Sequence, residues 1–384
     1  MTTAMPTPYI LGIESSCDET SAAVVRGGEE LISNVVASQI ATHKPYGGVV
    51  PELASREHLR NIVPVIRQAL AEAGKSYEEI DALAVTRGPG LAGALLVGVS
   101  YAKALAFALQ KPLIAVNHIE GHIHAVLLEQ RQAGNNELAF PVLSLVVSGG
   151  HTHLYLAERV GDGWRYKNIG HTRDDAAGEA FDKVAKLLGL GYPGGPIVDQ
   201  LARHGDPTAV KFGLVQIKNR DRNDRGPKSD DVRFDFSYSG IKTAVLRYTE
   251  THKMADAIEA RRRALLDVAK PTTETYLQLC DKETLDLVAS FQRAMVDDLV
   301  FKTLTAAEAH NVATLLVTGG VAANSELRST FEREASQAGI TVHFPSRPLS
   351  TDNAAMIAAA AYPKWLARDF ADEHLSAEAS LPLR

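Results

Sequence analysis

The chain of 384 residues is long enough for two or three domains of ~100–200 residues each. With 45% hydrophobic and 22% charged residues it is neither disordered nor fibrous in composition, and its two cysteines, Cys17 and Cys280, exclude a disulfide scaffold and suit a reducing compartment. A net charge of −6 excludes a general basic field, so contact with RNA requires a local patch or a partner.

The first nine residues lack both a basic and an apolar leader segment, which predicts no secretory signal. Residues 9–15 form an apolar run that stops at Cys17-Asp18-Glu19-Thr20, and residues 21–25 resume it. This predicts a strand, a tight polar turn and a returning strand. A buried strand at 82–86 ends in Arg87-Gly88-Pro89-Gly90 and leads into the apolar stretch 91–109. That stretch contains Lys103, two glycines and many alanines, so we expect a buried helix packed closely on a sheet rather than a membrane span. The chain is expected to be soluble and cytoplasmic.

A strand at 113–116 follows, and Asn117 opens a helix. The pattern recurs with a strand at 142–147, the turn Ser148-Gly149-Gly150-His151 and a returning strand at 152–157. A third strand at 314–317 runs into Thr318-Gly319-Gly320 and a helix. The repetition predicts a duplicated α/β domain with a cleft between halves, divided as 1–135 and 136–384. Residues 218–235 carry six basic and five acidic residues, and the near balance of signs predicts a solvated surface insert.

The segment Asn117-His118-Ile119-Glu120-Gly121-His122 carries the most chemistry. Asn117 with Glu120 three residues on reads as a capping box. His118 and His122 then share one helix face a turn apart, where two imidazoles can grip one metal. Glu120 lies at the position that reaches back to the cap. A zinc protease needs its glutamate directly after the first histidine to activate water, so the order His-x-Glu-Gly-His argues against that chemistry. His124 is out of register and is read as structural. Asp352 precedes an alanine-rich helix beginning at Ala354 and reads either as that helix's N-cap or as a third ligand.

Ser148-Gly149-Gly150 and Gly319-Gly320 are turns whose backbone amides could approach a phosphate, the second at a helix start. Asn324 could equally be an N-cap, Asp182 half of a helix ion pair with Lys186, and Asp18 and Glu19 plain turn residues.

Taken in order, several segments closely resemble the TsaD (YgjD/Gcp) family. They include Gly12-Ile13-Glu14-Ser15-Ser16-Cys17-Asp18-Glu19-Thr20, Tyr46-Gly47-Gly48-Val49-Val50-Pro51-Glu52-Leu53-Ala54-Ser55-Arg56, Gly88-Pro89-Gly90-Leu91, the histidine segment, Ser237-Tyr238-Ser239-Gly240-Ile241-Lys242-Thr243 and the residues around Gly319 and Asp352. The set spans nearly the whole chain and departs from the family mainly at 218–235 and 253–282. The resemblance implies an α/β duplicated actin-like ATPase fold (ASKHA, RNase H-like), with two lobes and a central cleft. It implies a tRNA N6-adenosine threonylcarbamoyltransferase whose donor is threonylcarbamoyl-adenylate, with TsaB and TsaE as partners and tRNA as substrate. By matching position, His118, His122 and Asp352 would bind one divalent metal, with Fe2+ favoured over Zn2+ or Mg2+. Val146, Val147, Ser148, Gly149, Gly150, Asp182, Gly195, Asp199 and Asn324 would bind the adenylate, and Asp18 and Glu19 match the acidic turn of the active site. The rival reading is a catalytically silent nucleotide-binding scaffold of the same complex.

Overall fold

A computed structural model describes residues 7–135, 138–160, 163–213, 234–266, 268 and 270–384. It comprises two compact units, Met1–Leu138 with Arg159–Tyr166 and Phe344–Arg384, and Ala139–Glu158 with Lys167–His343. The final segment of the chain thus belongs to the first unit.

In the first unit the order is β1 (Tyr9–Glu14), β2 (Glu19–Arg26), β3 (Glu30–Ser38), α1 (Ile40–His43), α2 (Pro51–Ala73), β4 (Ala82–Gly88), α3 (Ala92–Leu109), β5 (Leu113–Asn117) and α4 (His118–Gln132). The second unit follows with β6 (Val142–Val147), β7 (Thr152–Val160) and β8 (Gly163–His171), less residues 159–166, which group with the first unit, then α5 (Ala177–Leu187), α6 (Gly194–Ala202), α7 (Ser239–Thr251), α8 (Ala255–Leu266) and α9 (Thr273–Leu279). It closes with α10 (Lys282–Ala309), β9 (Thr314–Thr318), α11 (Ser325–Gln337) and β10 (Thr341–His343). The chain then returns to the first unit as α12 (Arg347–Ser350) and α13 (Ala354–Ala367).

Each sheet has five strands, ordered β3-β2-β1-β4-β5 and β10-β9-β6-β7-β8. In the first, β2 runs antiparallel to β1 and β3 while β4 and β5 are parallel to their neighbours. In the second, β7 is antiparallel to β6, and β9 and β10 continue in parallel. Read from the long hairpin outward, the two orders are the same, which bears out the duplicated fold expected from the recurring strand–turn–strand pattern. The central strands β1 and β6 are buried along nearly their whole length, so they read as continuous apolar runs rather than alternating ones.

Small residues let the helices of the first unit approach its sheet. A Cβ on Gly12 would lie 2.4 Å from the Ala354 carbonyl oxygen, and one on Gly121 would meet Ile357 at 2.8 Å. Residues 354–361, six of them alanine, are all buried, so α13 is sandwiched between β1 and α4. Helix α3 is buried through Ala94, Leu95, Gly98, Val99, Ala102 and Ala106. Its other face, with Leu96 and Phe107, is exposed, so the expectation of a buried helix is met on one side only. It is the one helix among the described residues long and apolar enough to cross a membrane.

The charged stretch 218–235 lies outside the described residues except for its end. There Asp235 is buried, not solvated: it accepts hydrogen bonds from His171 N (3.0 Å) and Arg173 Nε (2.7 Å).

Two outcomes follow from this packing. Gly12→Ala forces α13 away from β1; overpacking of this kind costs roughly 1–3 kcal/mol, so thermal unfolding should begin several degrees lower in a fluorescence scan. In the second unit, burial and then the charge of His171 hold the His153 imidazole down to about 4, against 6.5 in the unfolded chain. The unfolded state therefore takes up a proton that the folded state refuses, and stability falls as pH drops from 6.5 toward 4. Urea midpoints of His153→Gln should decline less over that window than those of the parent; identical slopes would absolve His153.

Candidate functional site

The local sequence explains how α4 presents its histidines. Asn117 Oδ1 accepts from Ile119 N (2.9 Å) and Glu120 N (3.4 Å), so the helix starts where the cap predicts. The second half of the capping box does not form. The Glu120 carboxylate lies instead 3.8 Å from Lys364 Nζ on α13, on a different face from the histidines. That places it away from any water the histidines could hold and agrees with the argument against protease chemistry.

His118 and His122 are buried, with ring centroids 4.7 Å apart and planes near perpendicular. Asp352 joins them from the segment before α13: its Oδ1 is 3.2 Å from His122 Nε2 and 3.6 Å from His118 Nε2. Asp352 is not the N-cap of α13. Asn353 takes that role, accepting from Met356 N at 3.1 Å, which leaves the Asp352 carboxylate to face the imidazoles. One ligand atom from each of the three residues lies within 4.8 Å of the others. Two buried imidazole nitrogens and one partly buried carboxylate oxygen converging on one spot form a donor set suited to a divalent cation.

The electrostatics point the same way. Burial lowers the His118 proton affinity, but the charges of Asp352 and Glu14 outweigh it and raise the imidazole to about 9. The surroundings therefore hold excess negative charge that a cation would balance. Glu14, at the end of β1, accepts from Ser16 N (2.5 Å) and Thr86 Oγ1 (2.7 Å) and lies 3.1 Å from His118 Nδ1.

The acidic turn sits in the same neighbourhood. Burial, then the charges of Asp18 and Asp352, push the Glu19 carboxyl well above its usual range. The same three influences raise the Cys17 thiol. Asp18 itself is buried. His58 of α2 fastens this turn, its Nε2 donating to Cys17 O (3.0 Å) and its Nδ1 meeting Thr20 Oγ1 (2.8 Å). Neither Glu14 nor His58 was singled out by the sequence reading. A carboxylate ending an otherwise apolar strand and an inward histidine on α2 were the available signals.

The remaining candidates all belong to the second unit. Ser148 N donates to His151 O (2.7 Å), closing the turn after β6, and Gly178 N at the start of α5 donates to Ser148 O (3.1 Å). A Cβ on Gly178 would lie 2.7 Å from that oxygen, and one on Gly319 (φ +96°) would lie 2.4 Å from Val147 O. Glycine at both positions lets α5 and the end of β9 close on the end of β6. Gly149, Gly150 and Gly195 look onto open space. Val146 and Val147 are fully buried strand residues.

Asp182, Asp199 and Asn324 already hold structural bonds. Asp182 Oδ1 accepts from Gly194 N (2.6 Å), joining α5 to α6. Asp199 Oδ1 accepts from Ser325 N (3.1 Å) and Ser325 Oγ (2.7 Å), joining α6 to α11. Asn324 caps α11 through Leu327 N (3.0 Å) and donates to Gln292 Oε1 (2.8 Å). The cap expected as one alternative for Asn324 is thus present.

Comparison with known proteins converges on one family. A family model described as TsaD, tRNA N6-adenosine threonylcarbamoyltransferase, matches residues 30–359. A protein of that name from Koribacter versatilis is 71% identical over 381 residues, covering 99% of this chain and 100% of the relative. Another from Moorella thermoacetica is 49% identical over 374 residues, covering 97% of each. Among solved structures, component A of (R)-2-hydroxyglutaryl-CoA dehydratase from Acidaminococcus fermentans aligns with a TM-score of 0.50 at 14% identity, over 93% of this chain and 98% of that one. Full-length HypF in its phosphate- and nucleotide-bound form gives 0.52 at 13%, over 93% and 46%. These two distant likenesses concern the fold, in agreement with the duplicated actin-like ATPase architecture. Identity this high from end to end is a matter of common family rather than of fold alone: the chain belongs to the TsaD family, the tRNA N6-adenosine threonylcarbamoyltransferases.

Proposed function

We propose that this protein transfers the threonylcarbamoyl group of threonylcarbamoyl-adenylate to the N6 amine of the adenosine 3′ of the anticodon, in tRNAs that read codons beginning with A. The convergence of His118, His122 and Asp352 on one point carries this reading, because a silent scaffold has no use for two buried imidazoles facing a carboxylate. Fe2+ is the proposed metal, with Zn2+ and Mg2+ as alternatives, and when bound it would polarise the donor's carbonyl and help orient it.

The chain's own residues do the rest. The N6 nitrogen attacks the carbamoyl carbon, the bond from that carbon to the AMP phosphate oxygen breaks, and AMP leaves. The Ser148–Gly150 turn receives the phosphate through the backbone amides of Gly149 and Gly150, Ser148 N being held by His151 O; the open space beside the two glycines supports close approach. Gly195 gives similar access for the nucleoside, flanked by Asp182, Asp199 and Asn324. Asp18 takes the proton lost by N6, and the neighbouring Glu19, whose charged form burial disfavours, supports it. TsaB and TsaE are the proposed partners. They would supply the tRNA-binding surface that a chain of net charge −6 lacks, and the tRNA substrate implies action in the cytoplasm.

Purified chain loaded with Fe2+ or Zn2+ and desalted should carry about one metal ion by plasma mass spectrometry, falling close to zero in His118→Ala and His122→Ala. Mixed with TsaB, TsaE, synthetic donor and unmodified tRNA, the parent should add a threonylcarbamoyl mass to adenosine in digested tRNA. Both histidine variants should lose that product. Donor binding without transfer by the fully loaded parent would instead identify a scaffold.

A further inference from the structure

We infer that Glu14 is a positioning residue that sets which nitrogen of His118 faces the metal; the inference rests on the metal reading above. Glu14 is fully buried at the end of β1, and among the described residues no lysine or arginine pairs with it. Its Oε1 accepts from Ser16 N at 2.5 Å, and its Oε2 accepts from Thr86 Oγ1 at 2.7 Å. The same Oε2 lies 3.1 Å from His118 Nδ1. A carboxylate can only accept, so this contact is a hydrogen bond when the imidazole carries its proton on Nδ1. That leaves the Nε2 lone pair directed at the Asp352 oxygen 3.6 Å away, the side on which His122 Nε2 also meets Asp352. Ser16 Oγ, 3.1 Å from Nδ1, can take part from either side of a hydrogen bond and fixes nothing alone.

The two anchors of Glu14 make the amide substitution informative. In Glu14→Gln one terminal atom becomes a donor. Placed at the Oε1 position it would oppose the Ser16 backbone N–H, which cannot reverse its role. Placed at the Oε2 position it faces the Thr86 hydroxyl, which can turn to accept. The second placement wins, and it offers a donor to His118 Nδ1. The imidazole proton then moves to Nε2, the atom that has to ligate. Shape and volume are kept while the tautomer is inverted.

The test uses the full chain with Zn2+ alone, titrated against a competing fluorescent chelator, and long-range 1H–15N spectra of zinc-loaded protein labelled at histidine. The parent should show His118 protonated at Nδ1 and bound through Nε2. Glu14→Gln should bind zinc about 10–100-fold more weakly, the usual loss for an outer partner of a ligating histidine. Ser16→Ala should lose less than Glu14→Gln. If Glu14→Gln fails to fold, the parent spectrum alone decides. His118 ligating through Nδ1, or unchanged affinity in a folded Glu14→Gln, overturns the inference and leaves the metal reading standing. No zinc bound by the parent overturns both.

Discussion

The close approach of α13 to β1 is the contact on which the convergence of His118, His122 and Asp352 depends. Asp352 stands two residues before this helix, so its position is only as good as the seating of Ala354. Gly12 provides that seat by having no Cβ where the Ala354 carbonyl lies, and Ser21 Oγ accepts from Ala354 N at 2.9 Å to fix the helix start. The alanines that follow keep the helix axis near the sheet, and Gly121 does the same for α4 on its other side. Three elements distant in sequence are thereby held at side-chain reach of one another. Interiors are packed tightly enough that shifting one of them by an ångström would be felt at the ligand atoms.

Much of this was legible in the sequence because the signals were local. The cap at Asn117, the spacing of His118 and His122, and the strand–glycine–strand units all follow from neighbours a few residues apart. The choice between cap and ligand at Asp352 was not legible, since Asn353 beside it is an equally good cap and only the backbone path decides. Glu120 misled for a related reason. The capping-box pattern is a statement about one turn of helix, but the nearness of Lys364, 244 positions along the chain, won the carboxylate. Glu14 and His58 escaped notice because their partners, His118 and the Cys17 carbonyl, are also remote in sequence.

The second unit divides labour differently. Its polar candidates are structural in the first instance: Asp182, Asp199 and Asn324 each satisfy backbone donors at helix starts, where unmet N–H groups would be costly. Glycines supply the unencumbered backbone. A nucleotide bound here would meet a frame whose side chains are already committed and whose amides are accessible, an arrangement that favours recognition by main chain over recognition by charge.

The discontinuity of the first unit has a consequence for how the protein is made. His118 and His122 leave the ribosome about 230 residues before Asp352, which at usual elongation rates is roughly 10–50 s. During that interval the nascent first sheet has its histidine pair but lacks both the carboxylate and the alanine helix that covers β1. The convergence of all three side chains is therefore a late event, coupled to the return of residues 344–384 and not to the folding of the segment that carries the histidines.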